Sequence, residues 1–260
     1  MTELVTLTIE DGVARLTLAR PEAANAMSWD LIDQLAHATE TISADTRVRA
    51  VLFTAQGKNF CVGGDIQAFA SEADPTGFIR RLAERLHDSV VRLATLPVPV
   101  VIAVQGAAAG AGFSLAAVGD IVLAGESSSF TLAYTGIGLT SDGGVTWSLP
   151  RLIGMRRTQE LAYTNRRLSA AEAEAMNIVT RVVPDDQLAT EAEAMARKLA
   201  SGPTVAFGAV KRLLAEGQTS SLAQHLDAEA AAISDALGTQ DAQGAVKSFL
   251  AREKPRFEGR

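Results

Sequence analysis

Residues 97–114 read Pro97-Val98-Pro99-Val100-Val101-Ile102-Ala103-Val104-Gln105-Gly106-Ala107-Ala108-Ala109-Gly110-Ala111-Gly112-Phe113-Ser114. A β-branched run of strand length, Val98–Val104, passes through a turn of glycine and alanine into small residues that suit a helix. The run does not alternate with polar residues, so both of its faces are expected to be covered, as in a parallel sheet with helices on each side. The wider stretch Leu93–Gly119 carries no charge and exceeds the roughly 20 residues that span a bilayer. Pro97 and Pro99 interrupt its start, and Gly106, Gly110 and Gly112 its middle. It reads as a buried strand entering a buried helix rather than as a membrane span.

Working outward, the same unit recurs. Val48–Thr54 is a second short β-branched run, followed by a glycine-rich turn at Gly57–Asp65. Upstream, Leu4–Ile9 and Val13–Leu18 flank Glu10-Asp11-Gly12, the signature of a hairpin. Ser28 suits an N-cap for a helix whose stripe is Leu31, Leu35, Ala38 and Ile42. A polar stretch ends near Pro75, and Phe78, Ile79, Leu82, Leu86, Val90 and Leu93 mark a further helix. Ile121–Ala124 and Thr180–Val183 are expected strands, and Ser169 with Glu172 forms a capping box ahead of a helix at Ala171–Ile178. From Asp186 to Glu253 the pattern is helical, broken at Ser201-Gly202-Pro203, Gly217 and Gly238. The expected organisation is an α/β core over residues 1–200 and a helical region over 201–260. The alanine-rich C-terminal helices, as at Ala228–Ala232, suit oligomer contact, a lid, or completion of the core.

Composition narrows the function. The chain has 260 residues, 47% hydrophobic and 21% charged, with a net charge of −6 and a single cysteine. That balance gives no electrostatic drive toward nucleic acid or anionic lipid. Cys61 has no partner for an intramolecular disulfide, and no Cys/His cluster suggests zinc. The N-terminus carries no signal-peptide or transit-peptide pattern, so a cytoplasmic location is expected. Nucleotide-binding, nucleophile-elbow and zincin motifs are all missing. His37, His87 and His225 sit apart within helical patterns, where a packing or surface role is the default.

Two glycine-rich turns remain, Phe60–Ile66 and Gly106–Phe113, each following a buried strand. Small residues leave backbone N–H groups uncovered, and the second turn opens a helix whose first amides are unpaired donors. Two such donors meeting at one point would form an oxyanion hole. The first reading of the same residues on physical grounds is tight strand-to-helix packing, where glycine serves to avoid a Cβ clash.

At these residues the chain resembles the crotonase superfamily, the enoyl-CoA hydratase/isomerase group. The matching segments are Arg20–Met27, Phe60–Ile66, Pro97–Ile121, Gly138–Gly154 and Phe249–Phe257, in order and together spanning essentially the whole chain. The resemblance implies a spiral of ββα turns with a helical C-terminal region, assembled as a homotrimer or homohexamer, acting on acyl-CoA thioesters. It implies no separate cofactor, since coenzyme A enters as part of the substrate. It places the two thioester-binding N–H groups on Gly64 and Ala111. Contacts to CoA map to Ala24, Ala26, Val62, Asp65 and Ile66, and from the C-terminal helix to Phe249 and Arg252; for Arg252 a solvated helix end is the other reading.

The departures from that pattern bear on the reaction. Hydratases of the group add water with two glutamates, and this chain has Ser114 and Tyr134 at those positions. Hydration by paired glutamates is therefore not expected. One carboxylate remains in the matching loop, Asp142 of Gly138-Leu139-Thr140-Ser141-Asp142-Gly143-Gly144, which resembles the loop of the phenylacetate-degradation type isomerases with Ser141 in place of proline. The resemblance implies that Asp142 carries a proton between carbons, since one base suffices for an allylic shift, with Tyr134 in the substrate pocket. Asp142 as a cap of the following helix stands as the structural alternative. Other reactions also remain open: a hydratase-like lyase using another acid, an aryl-CoA dehalogenase with Asp142 as nucleophile and His87 activating water, or a non-catalytic relative binding CoA or RNA.

Overall fold

The computed structural model describes residues 2–260. Strands β1 (Val5–Glu10) and β2 (Val13–Leu18) form an antiparallel hairpin in which Glu10 pairs with Val13. Asp11 and Gly12 both take positive φ, 52° and 77°, the backbone a two-residue hairpin turn requires. After α1 (Trp29–Ala44), β3 (Ala50–Ala55) joins β2 in parallel. Next come α2 (Ile66–Ala70), α3 (Pro75–Thr95), β4 (Val100–Val104), β5 (Ala107–Ala109), α4 (Ala111–Ala116), β6 (Ile121–Gly125) and β7 (Ser129–Thr131). Helices α5 (Val145–Ile153) and α6 (Met155–Thr164), strand β8 (Leu168–Ser169), α7 (Ala170–Ala175), β9 (Arg181–Val183) and α8 (Leu188–Ala200) complete the α/β layers. Helices α9 (Thr204–Glu216), α10 (Leu222–Leu237) and α11 (Gln240–Ala251) end the chain.

The main sheet has the order β1-β2-β3-β4-β6-β9, parallel except for the first hairpin. Successive residues of its inner strands feed two separate cores. Leu16, Val51, Phe53, Ile102 and Val122 face the larger one, shared with α1, α3 and α4. Val13, Ala50, Leu52, Val101, Ala103 and Leu123 face a second, closed by Leu188, Ala192, Ala196 and Ala200 of α8. The absence of polar alternation in these strands thus follows from burial on both sides. A second small sheet, β5-β7-β8, stands beside the first and carries the turn into α4.

Several element ends differ from the sequence expectation for local reasons. The strand expected from Val48 begins at Ala50, because the Val48 N–H is used in a turn to the Asp45 carbonyl at 3.1 Å. The strand expected from Val98 begins at Val100, after two prolines that have no N–H to offer. Helix α7 stops at Ala175 rather than Ile178, with Asn177 at a positive φ of 63°. The uncharged stretch Leu93–Gly119 divides into the end of α3, β4, β5 and α4, and among the described residues no helix is long and apolar enough to cross a membrane.

The C-terminal segment is tied to the core by backbone-seeking side chains. Buried Asp241, in the first turn of α11, accepts the N–H groups of Glu258 and Gly259 at 2.6 and 2.8 Å. Arg49, beside β3, donates to the carbonyls of Gly202 and Phe257 and to the Thr204 hydroxyl. Lys211 of α9 reaches Asp120, whose carboxylate also accepts the Val100 N–H. Asp120 is thereby accounted for as a structural residue.

Candidate active site

The close-packing explanation of the glycine turns holds at Gly63 and Gly112. Cys61 donates its N–H to the Ala107 carbonyl at 3.1 Å, and its own carbonyl accepts from Ala109 at 2.9 Å, so the two turns lie side by side. A Cβ on Gly112 would run into the Cys61 carbonyl, and one on Gly63 would stand 3.0 Å from the Ala109 carbonyl in a backbone with φ +99°. Those glycines permit close approach. Gly64 and Ala111 differ. Met27 donates to the Gly63 carbonyl and accepts from the Asp65 N–H, a pairing that skips the N–H of Gly64. Ala111 is the first residue of α4, where an N–H has no partner within the helix. Among the described residues neither amide has an acceptor, and both residues line the same cavity.

That cavity measures about 190 Å³. Met27, Ile32, Leu82 and Leu86 form its buried floor, and Val62, Ile66, Ile137 and Leu139 its exposed rim. Among the described residues, Asp142 is the only charged side chain in the lining and Tyr134 the only other polar one. A larger groove of about 720 Å³ runs between α9, α10 and the ends of α1 and α3. It contains neither glycine turn nor Asp142, which lie at the smaller cavity.

Ser114, Tyr134 and Asp142 come together in one cluster. The Tyr134 hydroxyl donates to Asp142 Oδ1 at 2.6 Å, the length of a charge-assisted bond. The Ser114 hydroxyl lies 3.0 Å from that of Tyr134 and donates to the Asp142 carbonyl at 2.8 Å. Burial, and then the Asp142 charge beside it, push the Tyr134 phenol well above its usual range, which keeps it a donor. Gly143 and Gly144, at φ 62° and 78°, give the loop a curvature that other residues resist. His87 of α3 completes the support: its Nε2 accepts the Gly143 N–H at 3.2 Å.

The alternative of Asp142 as a helix cap is corrected here. The N-cap of α5 is Gly144, without a side-chain cap bond, and the Asp142 carboxylate is bonded to Tyr134 instead. Asp65 caps α2 through the Ala68 N–H and pairs with Arg20 at 2.8 Å, and that guanidinium holds its carboxyl below the usual range. Val62 and Ile66 line the cavity rim, whereas Ala24 and Ala26 lie outside the lining on a turn that the Val62 N–H and the Arg20 side chain hold through their carbonyls. Phe249 and Arg252 are exposed at the end of α11, also outside it. Burial pushes the Cys61 thiol up to about 12, so it is no nucleophile at neutral pH. Sequence reasoning missed the cavity walls Ile32 and Phe69 and the loop-holding role of His87.

Comparison with known proteins places the chain in a family. The family described as Enoyl-CoA hydratase/isomerase matches residues 8–260. The 1,2-epoxyphenylacetyl-CoA isomerase of Escherichia coli K12 is 39% identical over 264 residues, covering 100% of both chains. The trans-2-decenoyl-acyl-carrier-protein isomerase of Streptococcus mutans is 30% identical, covering 97% of each. A crystal structure of enoyl-CoA hydratase from Bacillus anthracis superposes with a TM-score of 0.93 at 30% identity, over 99% of this chain and 100% of that one.

Proposed function

The chain belongs to the enoyl-CoA hydratase/isomerase family, and from that premise we propose that it is an acyl-CoA isomerase that shifts a carbon–carbon double bond by 1,3-proton transfer. The observation that supports this reading is Asp142, the one charged group among the described residues lining a mostly apolar cavity whose wall also includes Gly64 and Ala111, two residues whose N–H groups have no acceptor. With a 3-enoyl-CoA, the Asp142 carboxylate takes a proton from C2. The electron pair of that C–H bond spreads over the dienolate onto the thioester oxygen, which the two amides hold. The double bond settles between C2 and C3, and the Asp142 carboxylic acid gives a proton to C4. Donors aimed at the oxygen act where charge develops, at about 2.7–4 kcal/mol each. The reaction is redox-neutral and consumes only the acyl-CoA. Two relatives are named as isomerases, one of 1,2-epoxyphenylacetyl-CoA and one of trans-2-decenoyl-acyl-carrier protein, which supports isomerisation as the reaction class.

The dehalogenase alternative needs His87 free to activate water. Its Nε2 instead faces the Gly143 N–H, which favours the isomerase. The hydratase alternative needs a second acid, and Ser114 and Tyr134 supply none. The expected outcome is a protein that converts a 3-enoyl-CoA into the conjugated 2-enoyl-CoA, seen as rising absorbance of the enoyl thioester. Crotonyl-CoA, already conjugated, should keep its chromophore even at high enzyme concentration. Hydration at about 10 s⁻¹, an ordinary enzymatic rate, would overturn the assignment, and inactivity toward every 3-enoyl-CoA would favour the non-catalytic reading.

The homotrimer or homohexamer is part of the same proposal. What supports it is the exposed apolar face of α10 and α11, with Leu222, Ile233, Phe249 and Leu250 each more than 70% accessible in the single chain. Light scattering should give three or six times the chain mass of 27.3 kDa; a monomer at micromolar concentration would rule the oligomer out.

A further inference from the structure

The geometry points to Tyr134 and Ser114 as positioning residues that commit one oxygen of Asp142 and leave the other as the proton-carrying atom. The inference rests on Asp142 being the proton carrier. Tyr134 has a single hydroxyl hydrogen and places it against Oδ1 at 2.6 Å. Among the described residues Oδ2 has no partner, and it belongs to the one charged group in the cavity lining. A carboxylate with one oxygen engaged loses most of its freedom to rotate, so the second oxygen presents a defined lone pair to the substrate. When Oδ2 takes a proton from carbon, the Tyr134–Oδ1 bond persists, and no other group has to rearrange.

Ser114 holds the second link. Its hydroxyl hydrogen is shared between the Asp142 carbonyl at 2.8 Å and the Tyr134 oxygen at 3.0 Å, so it fixes both the loop backbone and the phenol that acts on the loop's side chain. Ser114 is 1% exposed, and Gly143 packs so closely on it that a Cβ there would lie 2.8 Å from the serine Cβ. The hydroxyl therefore works inside the protein, not on the substrate. The two side chains standing where hydratases carry glutamates serve here to aim a third.

Three groups from different elements face the Asp142 loop: Tyr134 from the segment after β7, Ser114 from α4, and His87 from α3, which meets it at the Gly143 N–H. The experiment measures kcat and KM for the wild type, Tyr134→Phe, Ser114→Ala and Asp142→Asn, using a 3-enoyl-CoA. Removing the phenol hydroxyl should lower kcat about 10–100-fold, the loss of one hydrogen bond to a charged group, with KM little changed. Ser114→Ala should lower kcat by less, again with KM little changed. A Tyr134→Phe protein whose kcat stays at the wild-type value, or whose KM rises as much as its kcat falls, overturns the inference. Failure of the underlying reading looks different: Asp142→Asn would then keep its activity.

Discussion

Asp142→Asn is expected to lower isomerisation by about 10²–10⁴-fold, the usual contribution of a general acid–base group, while folding and acyl-CoA affinity stay close to wild type. The amide is nearly the size of the carboxylate but accepts no proton at neutral pH. Its carbonyl oxygen still receives the Tyr134 hydroxyl, and the Asp142 backbone carbonyl still receives Ser114, so the loop keeps its supports. The loop's other attachment, from Gly143 to His87, does not involve the side chain at all. Steady-state kinetics with a 3-enoyl-CoA, paired with binding of a saturated acyl-CoA by calorimetry, separates the two contributions. A variant that loses binding together with turnover would mean that the carboxylate holds the loop rather than moves the proton.

Ala111→Pro should be nearly as damaging, at about 10²–10³-fold in kcat, the effect of removing one oxyanion donor. Proline ordinarily breaks a helix, but Ala111 is the first residue of α4, a position where its fixed φ fits and the lost N–H has no helical partner. Gly110 before it, at φ 53° and ψ −128°, uses backbone that glycine adopts freely and that does not depend on the following N–H. The helix should survive, and thermal unfolding of the variant checks that it does. What disappears is a donor facing the cavity. Full activity in a folded Ala111→Pro protein would show that the thioester oxygen sits elsewhere.

Legibility in the sequence followed the range over which each feature is encoded. The hairpin was readable because Asp11 and Gly12 accept positive φ, and the helix starts because Ser28 and Ser169 cap with their own side chains. The inner strands were readable from two-sided burial. The small sheet was not, since β5, β7 and β8 are too short to show a period. Helix α5 was readable only as part of a matching segment, as Pro150 lies inside it. At the site, glycine marks the turns but says nothing about which amide lacks a partner; Gly64 is free because Met27 pairs with its neighbours from a distant part of the chain. The Ser114–Tyr134–Asp142 cluster joins residues of three separate segments, and no local pattern announces such contacts. His87 looks like an ordinary helical histidine for the same reason: the N–H it accepts comes from a loop 56 residues further along the chain.

The measurement closest to the central claim is hydrogen exchange on the acyl group in deuterium oxide, read by mass spectrometry of the acyl-CoA during turnover of a 3-enoyl-CoA. The wild-type protein should introduce deuterium at the carbons that lose and gain the proton, because Asp142 trades protons with solvent between the two transfers. Asp142→Asn should leave the acyl group unlabelled over the same period. Labelling by Asp142→Asn at the wild-type rate would contradict the account, since another group would then be carrying the proton.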